Sequence, residues 1–339
     1  MSLGSIPIAD LPPEEFVRWA YQTVLRRECS PADCEYLAAR LNNTTDSRLA
    51  LLHQMLSCDE YENRYRPHIP FTAGHYYSPV PSDDDVADAL RKIPADLEAS
   101  GIDLHLPEQW ELLEQFAEIY PGIPFREQAI PGFRYRYANE NYAHADAIML
   151  HLMIRWLKPR RIIEIGSGHS SCVTLDTNEH FFNSQIRCTF IEPFPAFLQS
   201  LLKPNDQIDL LPARLQEVDL SVFDALEARD ILFIDSTHVS KINSDVNRIF
   251  FEILPRLNRG VFVHIHDVFP TFEYLEQWVS EGRIWNEQYV LRAFLQYNDH
   301  FRMRLFPSLL IMRDRAWFEK HMPLALATAG GAFWMERRR

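Results

Sequence analysis

Residues 161–171 read Arg-Ile-Ile-Glu-Ile-Gly-Ser-Gly-His-Ser-Ser, and the rest of the fold can be built outward from them. The short apolar run Ile162–Ile165 predicts a buried strand, because a strand covered on both faces shows little alternation of apolar and polar residues. Gly166 and Gly168 then predict a tight turn, and the serines that follow can begin a helix. Such a turn lets a ligand approach free backbone N–H groups, so the stretch predicts a nucleotide cradle.

The turn alone leaves two interpretations open. A dinucleotide-binding fingerprint asks for a third small residue shortly after the second glycine, where this chain has Ser171. A tight turn between a strand and a helix also occurs without any ligand. A second apolar run, Thr-Phe-Ile-Glu-Pro at residues 189–193, places Glu192 roughly 20 residues after the glycines, where nucleotide folds hold a carboxylate for ribose hydroxyls.

The segments Glu164–Gly168 and Phe190–Pro193 resemble motif I and the following acidic motif of class I S-adenosylmethionine-dependent methyltransferases. The resemblance covers about residues 140 to 337. It implies an α/β fold, Rossmann-like and doubly wound around a mostly parallel seven-stranded sheet, and it implies S-adenosylmethionine as the cofactor. The residues that it assigns to the cofactor are Glu164, Gly166, Ser167, Gly168, Ser170, Glu192 and Asp235.

Strand-like and helical patterns alternate from residue 160 onward, which independently predicts a parallel sheet with right-handed crossovers. The last two strands are expected at 301–313 and 331–337. The resemblance implies that the final strand enters the sheet antiparallel to its neighbour.

A chain of 339 residues is long for one domain. We expect an appended N-terminal helical domain at 1–66, a linker or flap with a helical arm at 67–140, and the Rossmann-like methyltransferase domain at 141–339. Residues Phe16–Tyr61 resemble a small helical domain of unknown function that accompanies glycan-related and surface-associated bacterial proteins. The aromatic stretch His75–Ser82 is expected to cover the catalytic rim as a flap, since its tyrosines are costly to leave in water, and a plain linker is the alternative.

Composition narrows the possible partners and the compartment. The formal net charge of −13 argues against a nucleic-acid partner. No apolar run is long enough to cross a bilayer, and the N-terminus lacks the pattern of a signal peptide, so no membrane association is expected. Five scattered cysteines without a Cys-x-x-Cys pair fit reduced thiols in the cytoplasm. The oligomeric state stays open.

Acidic and histidine residues follow two neighbouring strands of the predicted sheet. Asp235 ends the apolar run 231–234, with His238 close behind it, and the next apolar run ends in His266 and Asp267. Because ligands bind outside the carboxyl ends of parallel strands, these side chains should share one rim. Carboxylates suit Mg²⁺ or Mn²⁺, whereas imidazoles shift the preference towards Zn²⁺, Fe²⁺ or Mn²⁺.

These positions resemble the metal triad of catechol O-methyltransferase-like enzymes, where an Asp ends the fourth strand and an Asp-Asn pair ends the fifth. The resemblance assigns the metal to Asp235, His266 and Asp267, and His in place of Asp leaves the identity of the metal open. The motifs are also similar to those of bacterial sugar and natural-product methyltransferases. The candidate catalytic residues are Asp235, His238 and His266, with polar rim residues that bind no metal as the alternative. The segment Trp285–Tyr289 is expected to form a substrate wall or lid.

The sequence therefore predicts an enzyme that transfers a methyl group from S-adenosylmethionine to an oxygen of a small molecule or glycan, with assistance from a divalent metal. Three other functions stay open. The same cradle could serve a nicotinamide-dependent oxidoreductase, although the missing third small residue and the metal-like rim count against it. A metal-dependent hydrolase or hydroxylase would use the histidines alone, and a non-catalytic binding protein could keep the same fold.

Overall fold

The computed structural model of the protein describes residues 11–41, 44–58, 60–61, 71–92, 101–328 and 330–339. The chain forms two compact units, Met1–Asp85 and Val86–Arg339. The predicted domain boundary at residue 66 lies outside the described residues, and the predicted boundary at residue 140 stays a prediction.

The first unit is a small helical bundle, which confirms the predicted N-terminal helical region. Its helices are α1 (Pro13–Ala20), which continues as a π-helical turn (Tyr21–Leu25), α2 (Pro31–Arg40) and α3 (Thr45–Leu56). The side chains of Ser30 and Thr44 accept backbone N–H groups at the starts of α2 and α3. Apolar side chains at helical spacing, such as Phe16, Leu25 and Leu51, form its core.

Residues 71–92 consist of turns followed by α4 (Asp83–Arg91). Phe71 stacks on the ring of His75 with 4.5 Å between the ring centroids, and Gly74 N donates a hydrogen bond to Val80 O at 2.9 Å. These contacts give the aromatic stretch an internal structure of its own. The location of this flap over the catalytic rim stays a prediction.

The second unit is built on one seven-stranded sheet. Its strands are β1 (Arg161–Ile165), β2 (Arg187–Ile191), β3 (Asp209–Leu211), β4 (Ile231–Ile234), β5 (Phe262–Ile265), β6 (Phe301–Leu305) and β7 (Phe333–Arg337). They lie in the order β3-β2-β1-β4-β5-β7-β6. The first five strands are parallel, whereas β7 is antiparallel to both β5 and β6. The predicted Rossmann-like, mostly parallel sheet with a reversed final strand is confirmed.

Helices cover both faces of this sheet. They are α5 (Leu106–Ile119), α6 (His144–Leu157), α7 (His169–Phe182), α8 (Ala196–Leu201), α9 (Ser221–Asp224), α10 (Asp245–Arg248), α11 (Glu276–Ser280), α12 (Glu287–Leu295), α13 (Pro307–Arg313) and α14 (Arg315–His321). Successive strand residues enter opposite cores: Ile162 packs into one apolar cluster and Ile163 into the other. Burial on both faces explains why the central strands carry near-continuous apolar runs.

The strand predicted at 301–313 is wrong in its second half. β6 ends at Leu305, and Pro307 occupies the first turn of α13. Proline lacks the N–H that a sheet ladder requires, whereas the first turn of a helix leaves that N–H unused. The apolar residues Leu309 and Leu310, which favoured a strand, are instead buried in α13, where Leu310 packs into one apolar cluster and Leu309 into the other.

Residues 133–137 form an extended arm that lies outside the sheet. The side chain of Arg134 is only 2% exposed, and its Nη1 lies 2.6 Å from Asp176 Oδ1 and 2.9 Å from Glu179 Oε2. Its Nη2 pairs with Asp206. Asp176 Oδ2 also accepts two main-chain N–H groups of the arm, both at 2.8 Å. This buried ion network fastens the arm to α7.

None of the helices in the described ranges is long and apolar enough to cross a membrane. All five cysteines are free thiols, and four of them are buried. Burial raises the pKa of the Cys172 and Cys188 thiols to about 12, so both are neutral and unreactive at physiological pH.

Replacing Arg134 by Met should lower the free energy of unfolding by about 3–5 kcal/mol, because Asp176 would keep a buried charge without its partner. Urea unfolding measures the loss. Arg256→Met is the matched control, since the Arg256–Asp224 pair has side chains 43% and 45% exposed. The control should cost no more than about 1 kcal/mol. Similar losses in both variants would contradict the structural role of the network.

Candidate functional site

The first part of the candidate site is the turn between β1 and α7. Gly166 has a φ of +79°, a left-handed conformation that residues with a Cβ atom rarely adopt. A Cβ atom here would lie 2.2 Å from the main-chain oxygen of Asp235, so the turn passes directly against the end of β4. Asp235 N in turn donates to Ile165 O at 2.9 Å. The glycine turn and Asp235 are therefore fixed to one another.

Glu164 is fully buried beneath this turn. Its Oε1 accepts hydrogen bonds from the hydroxyls of Ser170 at 2.7 Å and Ser171 at 2.8 Å. Burial raises the pKa of Glu164 to about 8, although the two serine hydrogen bonds lower it. Within the described residues, Glu164 Oε2 and Ser167 Oγ are buried without a hydrogen-bond partner. Buried polar atoms are rarely left unpaired, so this end of the sheet has the features of a polar ligand site.

The carboxylate that follows β2 is fixed at the same end of the sheet. Glu192 Oε1 accepts the N–H of Phe194 at 2.8 Å. The rings of His169 and Phe197 meet edge to face, with 5.2 Å between their centroids, at the start of α7. Phe194 and Phe197 are exposed, so an apolar surface lies beside the carboxylate.

Three side chains that follow β4 and β5 converge at the rim. Asp235, His238 and Asp267 each offer one ligand atom, and these three atoms all lie within 4.8 Å of one another. His238 Nε2 is 3.4 Å from Asp235 Oδ1 and 3.4 Å from Asp267 Oδ2. The backbones of His238 and Asp267 have φ values of 58° and 60°. Left-handed conformations of this kind, at residues other than glycine, concentrate at functional sites.

A carboxylate from a distant helix orients His238. Glu287, at the start of α12, accepts a hydrogen bond from His238 Nδ1 at 2.9 Å and from Ser236 Oγ at 2.9 Å. The main-chain N–H groups of Asn286 and Glu287 donate to His238 O at 3.0 and 3.1 Å. Trp285 covers the imidazole, with 4.4 Å between ring centroids. His238 Nε2 is thereby turned towards the two aspartates.

His266 lies behind this cluster and contacts the same acids. Its Nδ1 is 3.7 Å from Asp235 Oδ1 and 3.5 Å from Asp267 Oδ1, and its Nε2 is 3.5 Å from Asp146 Oδ2. The ring of Tyr142 packs at 5.1 Å from that of His266. His266 is therefore a neighbour of the three-residue cluster and supports both carboxylates.

The sequence of this part of the chain is similar to those of known proteins. Residues 163–268 match the sequence model of a family described as a methyltransferase domain. An uncharacterized protein of Archaeoglobus fulgidus is 32% identical over 163 residues, which span 46% of this chain and 74% of the relative. Residues 163–268 therefore belong to a methyltransferase domain. The predicted methyltransferase membership is confirmed.

Solved structures with similar folds are more distant. The methyltransferase PaMTH1 of Podospora anserina, bound to SAH, shares 13% identity with a TM-score of 0.40, covering 77% of this chain and 98% of that one. The O-methyltransferase TomG of Streptomyces achromogenes, in complex with SAM, shares 16% identity with a TM-score of 0.39, covering 68% and 90%. The Mg-SAM structure of cmcI-D160 shares 19% identity with a TM-score of 0.36, covering 58% and 73%. Likeness at this level reflects the fold alone.

At the rim of this methyltransferase, burial and neighbouring charges shift the pKa values of the ionisable side chains in opposite directions. Burial alone would lower the pKa of His238, but its contacts with Asp235 and Glu287 raise it to about 10. Burial likewise opposes the protonation of His266, yet Asp267 and Asp235 raise its pKa well above the usual value. Asp235 is also desolvated, and the two histidines outweigh that effect and lower its pKa. Both imidazoles are therefore cationic at neutral pH unless a metal ion displaces their protons.

The structure brings Asp235, His238 and Asp267 into one cluster, whereas the metal set predicted from the sequence was Asp235, His266 and Asp267. The assignments of metal, catalytic and cofactor residues stay predictions. The hydroxyl of Ser170 donates a hydrogen bond to Glu164. Its predicted role in cofactor binding would therefore be indirect. Sequence reasoning missed the role of Glu287, which lies in the segment expected to form a wall or lid.

The close approach of Gly166 to Asp235 can be tested with two alanine substitutions. Gly282 has a φ of +78°, and no atom lies within 4 Å of a Cβ added there. Gly166 has nearly the same φ, but a Cβ added there would collide with Asp235 O. Gly282→Ala should cost about 1–2 kcal/mol for the left-handed conformation alone. Gly166→Ala should cost clearly more and should weaken S-adenosylmethionine binding in calorimetric titration. If the two variants were equally stable and Gly166→Ala bound the cofactor as the unchanged protein does, the contact between Gly166 and Asp235 would not constrain the site.

Proposed function

We propose that the protein is an O-methyltransferase that methylates a hydroxyl group of a small molecule or glycan, with a divalent metal ion held by Asp235, His238 and Asp267. The observation that carries the proposal is the position of Asp235. Its main-chain oxygen borders the glycine turn, and its carboxylate belongs to the three-residue cluster. A cofactor on the turn and an acceptor at the cluster would meet beside this one residue.

The residues on the cofactor side fit S-adenosylmethionine, which supplies a methyl group on a sulfonium centre when it is bound. Glu192 would accept hydrogen bonds from ribose hydroxyls, as the carboxylate after the second strand does in nucleotide folds. The unpartnered Glu164 Oε2 and Ser167 Oγ would gain polar partners. With a pKa of about 8, Glu164 can act as a donor or an acceptor near neutral pH. The exposed rings of Phe194 and Phe197 would cover an apolar part of the ligand.

The donor set at the rim suits a divalent cation. Two carboxylates and one imidazole accommodate Mg²⁺, Mn²⁺, Fe²⁺ or Zn²⁺, and the imidazole shifts the preference away from Mg²⁺. A bound cation would lower the pKa of an acceptor hydroxyl and so ease its attack. Glu287 orients His238 from the opposite ring nitrogen, which is the arrangement typical of metal-binding histidines. His266 would hold both aspartates from behind.

The same Glu287–His238 hydrogen bond supports a second mechanism, in which His238 acts as a general base without a metal. The pKa of His238 weighs against it. At a pKa of about 10, His238 carries a proton at neutral pH and cannot accept another one. A metal ion that displaces this proton would be held by all three side chains of the cluster. The metal-assisted mechanism is therefore the leading one.

Removal of the metal gives the first test. A chelator should abolish methyl transfer while cofactor affinity in titration stays nearly unchanged, and one divalent metal should restore turnover. Asp267→Ala should reproduce the chelated enzyme. Glu252→Ala is the control, because Glu252 is an exposed acid paired with Arg248 at 3.3 Å. Metal affinity should fall as the pH is lowered from about 10 towards 6, since the ion then competes with the proton on His238. Full activity in excess chelator, with no metal by elemental analysis, would exclude metal assistance.

Replacement of Glu192 by Ala tests the cofactor side separately. The affinity for S-adenosylmethionine should fall by about 1.5–3 kcal/mol, the range for hydrogen bonds to a charged group. Asp209→Ala is the matched control, because Asp209 begins the neighbouring strand β3, pairs with Thr189 inside β2, and lines a surface depression with the residues at the start of β2. Calorimetric titration compares the three proteins. Unchanged affinity in Glu192→Ala would remove the ribose assignment.

A further inference from the structure

A cavity of about 570 Å³ opens beside the candidate metal cluster. Three segments form its walls: the loop after β5, one side of α13, and the residues that precede β7. β7 runs antiparallel to β5, and Phe333 pairs with Ile265, so the residues before β7 lie at the carboxyl end of β5. The cavity is therefore on the same rim of the sheet as Asp267, where ligands of open α/β sheets bind.

The wall of the cavity is continuous with the cluster. Phe269, which lines the cavity, follows Asp267 by two residues. Gly330 lines it as well, and the next residue, Gly331, donates its N–H to Asp146 Oδ1 at 2.8 Å. A Cβ atom on Gly331 would lie 2.9 Å from Asp267 N, so this segment rests directly against the metal-binding candidate. The residues that line this end of the cavity are therefore one or two positions from residues that contact or belong to the cluster.

The surface of the cavity is largely apolar. Its lining includes Phe269, Tyr274, Leu275, Ile311, Met312 and Leu326. Two of these side chains face water at the mouth, since Leu275 is 38% exposed and Met312 is 43% exposed. Large apolar side chains that border a concave site mark a ligand-binding surface. The volume is also within the range of about 300–1,000 Å³ that holds small molecules.

The charges of the cavity select against anions. Its lining contains the acids Glu273 and Glu276, and among the described lining residues its one cation is Arg315. Arg315 Nε is already paired with Glu319 Oε1 at 3.1 Å. Glu273 accepts a hydrogen bond from the hydroxyl of Tyr289 at 2.8 Å, which holds it in place. Phosphate groups bind at arginines, lysines or free helix N-termini. The start of α11 lines this cavity, but its first turn carries the acid Glu276, whose carboxylate would repel an anion there.

We propose that this cavity is the acceptor site, and that the acceptor is an uncharged or cationic, largely apolar hydroxyl compound. Phosphorylated acceptors, including nucleotide-linked and coenzyme A-linked ones, are excluded by the same charges. The proposal rests on the methyl transfer proposed above. In that transfer the acceptor oxygen forms a bond to the methyl carbon as the carbon–sulfur bond breaks. The electron pair of the broken bond stays on sulfur, and the hydroxyl proton leaves to solvent.

The test uses three probes of similar size that differ in charge: ethylcatechol, dopamine and dihydroxyphenylacetate. Their adjacent hydroxyls can share one metal ion, and the proposal places the aromatic body and its substituent in the cavity. Binding is measured by calorimetry and ligand-observed NMR with Mn²⁺-loaded or Mg²⁺-loaded full-length protein and S-adenosylhomocysteine, and methyl transfer by mass spectrometry with S-adenosylmethionine. The anionic probe should bind about tenfold more weakly than the other two, the order expected for a like-charge contact that is partly screened.

Two variants with matched controls locate the effect. Glu276→Lys should reverse the charge preference, whereas Glu281→Lys, an exposed acid just beyond α11 and outside the cavity, should not. Met312→Trp should fill the mouth and weaken all three probes about tenfold. Leu324→Trp is its control, since Leu324 is 44% exposed and does not line the cavity.

The possible outcomes separate the two proposals. If S-adenosylhomocysteine fails to bind, the proposed methyl transfer itself is wrong. If S-adenosylhomocysteine and the metal ion bind but the anionic probe binds as well as the others, or Glu276→Lys and Met312→Trp change nothing, the acceptor site alone is wrong. Failure of all three probes to bind at millimolar concentration would also overturn it. A preference for the uncharged and cationic probes that depends on Glu276 and Met312 supports the assignment.

Discussion

The contact between Gly166 and the main-chain oxygen of Asp235 is the constraint on which the rest of the site depends. It exists because β1 and β4 are adjacent parallel strands in register, with Ile165 opposite Ile234. A side chain on Gly166 would separate the two strand ends, and the glycine turn would lose its fixed distance from the rim. A methyl transfer needs two reactants aligned to within a fraction of an ångström, so rigidity at this junction has a direct chemical consequence.

The sequence predicted the parts of the site that are encoded locally. The glycine turn, Glu192 and the aspartates at the strand ends follow from short patterns, because a strand and its next residue occupy a known place in a parallel sheet. It could not predict that Glu287 orients His238, since that contact joins residues 49 positions apart. The sequence could not predict the buried ion network of Arg134 either, because Arg134 and Asp176 are also far apart in the chain. The error at β6 was different: Pro307 was a local signal, and the apolar residues after it obscured its meaning.

Charge compensation explains how so many ionisable groups can share one buried rim. Two imidazoles face Asp235 and Asp267, with Glu287 and Asp146 on their far sides. Isolated charges at this depth would be expensive, and here protons on His238 and His266 balance the carboxylates. A divalent cation would take over that balance at the cluster and release a proton from His238. In the proposed metal-bound state, the charge of the ion would thus replace the charge of that proton.

The reversed strand β7 gives the fold its asymmetry. In a fully parallel sheet, the segment before the last strand would lie at the opposite edge, far from the ligands. Because β7 is antiparallel, the residues that precede it reach the carboxyl rim, where Gly331 lies against Asp267. The charged residues that follow β4 and β5 then lie between the polar turns after β1 and β2 and the apolar cavity beyond β5. In the proposed reaction, a charged sulfonium donor and an apolar acceptor have opposite solvation needs, and this strand order would let one sheet edge bind both.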